Sequence, residues 1–178
     1  MKIIIYGAND MALAVAQKNK RRKNKSGCNV LIIGMPGSGK TASIEDWAKF
    51  KGLNLVSVNA KNNDLEAYIN GYTTKDPANP RKVSQAFSDN LDDLDKDNSI
   101  PFLDEYNRAP APVRATLLTL VNDHIILDPQ GEEGVKRFPN FLFTIAAINP
   151  FNNLYDTKQL DSAEMSRFKH VNVPNEPG

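Results

Sequence analysis

Residues 29–41 read NVLIIGMPGSGKT, and no other stretch so narrows what this chain can fold into. Val30, Leu31, Ile32 and Ile33 form a short continuous apolar run, the mark of a strand covered on both faces. Gly34, Gly39, Lys40 and Thr41 then satisfy the pattern G-x-x-x-x-G-K-[ST]. Ile44, Trp47, Ala48 and Phe50 follow at helical spacing, and Gly52 stands where a helix would stop. Strand, glycine-rich turn and helix together predict an α/β fold carrying a phosphate-binding loop. In such a loop Gly34, Gly37 and Gly39 let the backbone curl so that N–H groups face phosphate oxygens at the positive end of the helix that follows, and Pro36, Ser38 and Ala42 are further candidate nucleotide contacts. Lys40 would reach the outer phosphates and the Thr41 hydroxyl would ligate Mg²⁺. A nucleoside triphosphate site is expected.

At 178 residues the chain suits one domain with a substantial core. A net charge of +1 offers no global field for drawing in nucleic acid. Cys28 is the only cysteine, which excludes a disulfide framework and fits a reducing compartment. Asn9 and Asp10 interrupt the apolar start too early for a signal peptide, and no apolar run reaches membrane-spanning length. The expectation is a soluble, cytoplasmic protein with no membrane partner.

Residues 3–6 are apolar; Gly7 is read as a turn, with Asn9 or Asp10 capping a helix to about Lys18. Lys18–Lys25 holds six basic residues in eight, either a contact for nucleic acid or another polyanion, or a solvated connector. Leu53–Val58 alternates as a second strand. Leu65, Tyr68, Ile69 and Tyr72 predict a helix over 59–72, followed by a proline-containing loop over 73–81. Val83, Ala86, Phe87, Leu91 and Leu94 predict another helix, whose acidic tail reads as a solvated face.

Ser99–Glu105, SIPFLDE, reads as an apolar strand ending in two acids. Pro101 is awkward in a central strand unless it stands first. A triphosphate site needs a second acid to hold Mg²⁺ and a group to orient or deprotonate the attacking water; Asp104 suits the first role and Glu105 the second. Ala111–Val121 reads as a helix, and His124–Asp128 with Val135–Phe138 as a β-hairpin. Phe141–Ile148 is a further buried strand. Asn149, just beyond it, either polarises water or the γ-phosphate or simply begins a turn before Pro150. Ser162–Phe168 is expected to be a helix carrying Arg167, and Lys169–Val173 a last strand; His124 and His170 are read as structural.

Four segments, GMPGSGKT at 34–41, FLDEYNRAP at 102–110, TIAAINP at 144–150 and LDSAEMSRF at 160–168, resemble the AAA+ ATPases, most of all the MoxR-like and dynein-related branch. The resemblance covers nearly the whole chain, least clearly between Asn59 and Arg81. It implies a three-layer P-loop NTPase fold, with a five-stranded, mainly parallel sheet in the order 5-1-4-3-2 and a β-hairpin insertion. It implies Walker A roles for Lys40 and Thr41, Walker B roles for Asp104 and Glu105, sensor 1 at Asn149, and an arginine finger at Arg167 acting in a neighbouring subunit. Ile5–Gly7 resembles the segment that packs near adenine, which makes Tyr6 and Gly7 candidate nucleotide contacts. The family's helical lid has no counterpart before Gly178, so the expected domain is an α/β core over 1–178. The expected activity is Mg²⁺-dependent ATP hydrolysis that remodels a protein partner within a homo- or hetero-oligomeric ring. The alternatives are a nucleotide-dependent interaction module with little turnover, or a nucleic-acid motor component.

Overall fold

In the computed structural model, residues 1–21, 28–61, 92–127, 133–151 and 157–174 are described. The elements run α1 (Lys2–Arg21), β1 (Val30–Ile33), α2 (Lys40–Phe50), β2 (Asn54–Asn59), β3 (Ser99–Asp104), α3 (Ala111–Asp123), β4 (Ile125–Leu127), β5 (Val135–Arg137), β6 (Ile145–Ile148), α4 (Ser162–Met165) and β7 (Lys169–Asn172). Five strands form one sheet, β2-β3-β6-β1-β7, and each of its pairings is parallel. With the hairpin set aside this is the expected order 5-1-4-3-2. β4 and β5 pair antiparallel as a separate hairpin.

Alternation along the strands splits their side chains into two cores. Leu31, Val56, Val58, Leu103, Ala146 and Ile148 face one side, where Val113, Leu117, Leu120 and Val121 of α3 and Ile126 and Phe138 of the hairpin cover them. Val30, Ile32, Ile100, Phe102, Ile145 and Ala147 face the other, under α1 and under Ile44, Trp47 and Ala48 of α2. Three layers result, and β1 is buried on both faces, as its unbroken apolar run requires.

The amino-terminal reading needs correction. Gly7 is not a turn; α1 passes straight through it. Ile5, Asn9, Ala12, Leu13 and Ala16 form its buried stripe at helical spacing, and packing of that stripe overrides the weak propensity of one exposed glycine.

Pro101 is also not at a strand's first position: it is third in β3, with strands on both sides. Its nitrogen lies on the same side as the Ser99 carbonyl, which accepts Leu142 N–H at 2.9 Å, and the β3–β6 register begins only at Phe102. The missing donor therefore falls before the ladder starts. β6 begins at Ile145 rather than Phe141, because the Asn29 side chain captures Thr144 N–H at 2.9 Å.

α4 is shorter than expected and ends at Met165, so Arg167 stands in the turn leading to β7. The helices expected over 59–72 and 83–94 and the loop over 73–81 lie largely or wholly outside the described residues, as do the last four residues of Lys18–Lys25. Among the described residues no helix is long and apolar enough to cross a membrane.

Candidate functional site

β1, β3 and β6 deliver their carboxyl ends to one rim of the sheet, where open parallel sheets bind ligands. A cavity of about 420 Å³ opens there, in the range of small-molecule sites. Pro36, Gly37, Gly39, Lys40, Thr41 and Ala42 line it from the loop, Asp104 and Glu105 from the end of β3, and Asn149 from the end of β6.

The loop's shape is set by residues that need no side chain. Gly37 and Gly39 have φ of 72° and 75°, the left-handed region that glycine enters without strain. α2 starts directly after Gly39 and aims its free N–H groups into the cavity. Gly34 belongs to the loop but not to the cavity lining: a Cβ there would stand 3.0 Å from the Val173 Cβ.

Lys40 is buried, and its Nζ donates to the carbonyls of Gly34 (2.7 Å) and Met35 (2.9 Å) and to Asn149 Oδ1 (3.0 Å). Burial pulls the Lys40 pKa below the usual lysine range, and the nearby Asp104 and Glu105 carboxylates pull it back up. A buried ammonium held by two carbonyls and an amide oxygen is suited to an anionic ligand such as a phosphate oxygen. Thr41 Oγ1 donates to Asp104 Oδ2 at 3.0 Å, so hydroxyl and carboxylate oxygens already converge. Hard oxygen donors of this kind fit Mg²⁺, which takes one or two protein ligands and completes its shell with phosphates and water.

Glu105 adopts φ 53° and ψ 35°, a left-handed conformation that costs a non-glycine residue about 1–2 kcal/mol. The kink holds its carboxylate at the cavity. There Oε1 accepts Arg108 Nη1 at 2.5 Å and Oε2 accepts Asn59 Nδ2 at 3.5 Å. Asn59 and Arg108, and Asn107, whose Nδ2 donates to the Asn149 carbonyl at 2.8 Å, thus hold lining residues from outside the cavity, and the sequence alone assigned none of them a role. For Asn59 a signal existed: it ends β2 in register with Asp104, at the same rim.

Among the described residues Tyr6 and Gly7 are not in the cavity lining, being held within α1 instead. Nor does Arg167 reach the cavity: its side chain is exposed and its carbonyl accepts Asn29 Nδ2 at 3.4 Å.

Comparison with known proteins agrees with this geometry. The sequence pattern of the AAA domain, dynein-related subfamily, matches residues 29–168. Midasin of Dictyostelium discoideum is 28% identical over 151 residues, which is 83% of this chain and 2% of midasin. Among solved structures, a proline-to-glycine mutant of Thermotoga maritima RuvB shares the backbone fold with a TM-score of 0.56 at 18% identity, over 98% of this chain and 46% of RuvB. A lysine-to-arginine mutant of the same protein gives 0.52 at 17%, over 95% and 44%. The chain thus spans less than half of each of these relatives.

Proposed function

The chain belongs to the dynein-related subfamily of AAA domains, an AAA+ ATPase core, and from that premise we propose that residues 1–178 bind and hydrolyse ATP with Mg²⁺ to remodel a protein partner. One observation carries the reading: Lys40 donates to Asn149 and Thr41 donates to Asp104, and both pairs line a single cavity.

In this reading the loop N–H groups and Lys40 hold the β- and γ-phosphates, and Lys40 exchanges its backbone carbonyls for phosphate oxygens. Thr41 and Asp104 hold Mg²⁺, which supplies charge neutralisation on the phosphate oxygens. Glu105 accepts the proton of the attacking water once its carboxylate leaves Arg108, and Asn149 orients that water or the γ-phosphate. The likeness of LDSAEMSRF to the arginine-finger motif, with Arg167 exposed and away from its own cavity, supports its acting in a neighbouring subunit's site. A MoxR-like ring in the cytoplasm, of one or more kinds of subunit, is the assembly this supports.

The test is ATP turnover per subunit over a wide range of protein concentration, with Mg²⁺. Specific activity should climb with concentration and collapse in Arg167→Ala, while Glu105→Gln should keep ATP affinity and lose turnover by at least about 100-fold. Undiminished hydrolysis in Glu105→Gln sinks its assigned role. Flat, negligible turnover despite ATP binding would make the chain an interaction module.

A further inference from the structure

β6 runs out of sheet partners just where Asn149 has to be held. On the β1 side, Gly34 N–H takes the Ile148 carbonyl at 3.2 Å. Alternation turns the next carbonyl, that of Asn149, toward β3. But β3 ends at Asp104, and its register with β6 extends only over Phe102–Ile145 and Leu103–Ala146. A carbonyl there, on a residue only 9% exposed, would be an orphaned acceptor.

Asn107 takes it. This residue is 1% exposed and lies in the short 3-10 turn Tyr106–Arg108, two positions past Glu105. Its Nδ2 donates to the Asn149 carbonyl at 2.8 Å, and its own carbonyl accepts Lys158 N–H at 2.9 Å. Its Oδ1 has no hydrogen-bond partner among the described residues, so the side chain is committed through its donor end. Asn149, gripped by its carbonyl, presents Oδ1 to Lys40 Nζ at 3.0 Å.

We infer that Asn107 is a positioning residue: its amide replaces the missing rung between β3 and β6 and thereby fixes Asn149 against Lys40. Because Asn107 rides on the turn that follows Glu105, the same hydrogen bond sets the spacing between Glu105 and Asn149. The role demands a donor. Aspartate has the same size but offers the Asn149 carbonyl only repulsion, and alanine leaves it unpaired.

This inference rests on the hydrolysis reading, and the experiment separates the two. Steady-state ATP hydrolysis and ATP affinity are measured with Mg²⁺ for the wild type, Asn107→Ala, Asn107→Asp, Asn149→Ala and the double variant Asn107→Ala/Asn149→Ala. Both Asn107 variants should lose about 10- to 100-fold in kcat, the scale of misplacing a catalytic group by an ångström, while ATP affinity changes by less than about threefold. The double variant should be no slower than Asn149→Ala alone, since Asn107 acts through Asn149. Wild-type turnover in Asn107→Asp, or multiplied losses in the double variant, overturns the role. Asn107→Asp keeps the side-chain volume, and its unfolding midpoint shows whether the fold survives; it decides the matter if Asn107→Ala does not fold. A wild type that binds ATP without hydrolysing it overturns the hydrolysis reading and this role together, before any variant is compared.

Discussion

Glu164 is the residue whose removal should cost this fold most per atom deleted. Its Oε1 accepts Arg114 Nε at 2.8 Å and the Tyr106 hydroxyl at 3.4 Å; its Oε2 accepts Asp161 N–H at 3.0 Å, half of the capping box that starts α4. The two charged side chains are only 11% and 9% exposed, so neither has water to fall back on. In Glu164→Ala, Arg114 keeps its bond to the Ala109 carbonyl but loses its counter-charge, and a buried charge left alone typically costs 3–5 kcal/mol, that is, about 4 kcal/mol here. The lost half of the capping box adds up to about 1 kcal/mol. Replacing both partners, as Arg114→Met/Glu164→Leu, removes charge and counter-charge together and should fall within about 2 kcal/mol of the wild type. Urea unfolding at constant m-value reads these differences directly, and the two single variants complete the cycle. A Glu164→Ala protein within about 1 kcal/mol of the wild type would refute the reasoning. So would a double variant as unstable as the sum of its singles, since the pair would then not be coupled.

Two further outcomes follow from local geometry. Gly7 is helical and exposed, and a Cβ there would meet nothing within 4 Å, so Gly7→Ala should stabilise by about 0.5–1 kcal/mol; Gly37 meets nothing either but sits at φ 72°, so Gly37→Ala should destabilise by about 1 kcal/mol. Equal signs in denaturant midpoints would show that conformation is not what separates these two sites. Asp10 Oδ1 accepts Trp47 Nε1 at 2.9 Å, and that bond, aided by Lys51 and opposed by burial, lowers the Asp10 pKa. A carboxylate lowered by folding contributes stability above its unfolded pKa near 4 and loses it as pH falls through the folded value. Asp10→Asn should therefore cost under about 1 kcal/mol at pH 7, the side chain being 47% exposed, and the gap should close by about pH 2. Fluorescence of Trp47, the only tryptophan, follows the unfolding; a gap that persists in acid would assign the effect to shape rather than charge.

How much of this was readable beforehand divides along a physical line. Val30–Ile33, the loop and α2 are contiguous, so strand, turn and helix signals reinforce one another within 21 residues of chain, and the structure has all three. The amino terminus was misread because Ile3–Tyr6 is an apolar run as compatible with a strand as with a helix, and Gly7 and Asn9 imitate a turn and a cap. What settles it is the buried stripe from Ile5 to Ala16, whose period includes the polar Asn9 and shows only once α1 lies on the sheet. Arg167 illustrates the same limit at smaller scale: the capping box at Asp161 starts α4, but the helix ends before Arg167.

The site itself was legible as residue types and illegible as contacts, and the parallel sheet explains why. Such a sheet gathers the carboxyl ends of strands that lie far apart in the chain. Asn59 ends β2, Asp104 ends β3, and Glu105 and Asn149 stand one residue beyond β3 and β6: four polar residues at equivalent places on successive strands. Given the strand order, each becomes a candidate by position alone. Their pairings need the register as well. A one-residue slip of β6 against its neighbours β3 and β1 would turn the Asn149 carbonyl away from Asn107 and Asn149 Oδ1 away from Lys40, with every residue type unchanged. In the proposed site, chemistry would be carried by strand-end identity and controlled by strand register, so Asn107, which is given no chemistry of its own, becomes visible only when the register is known.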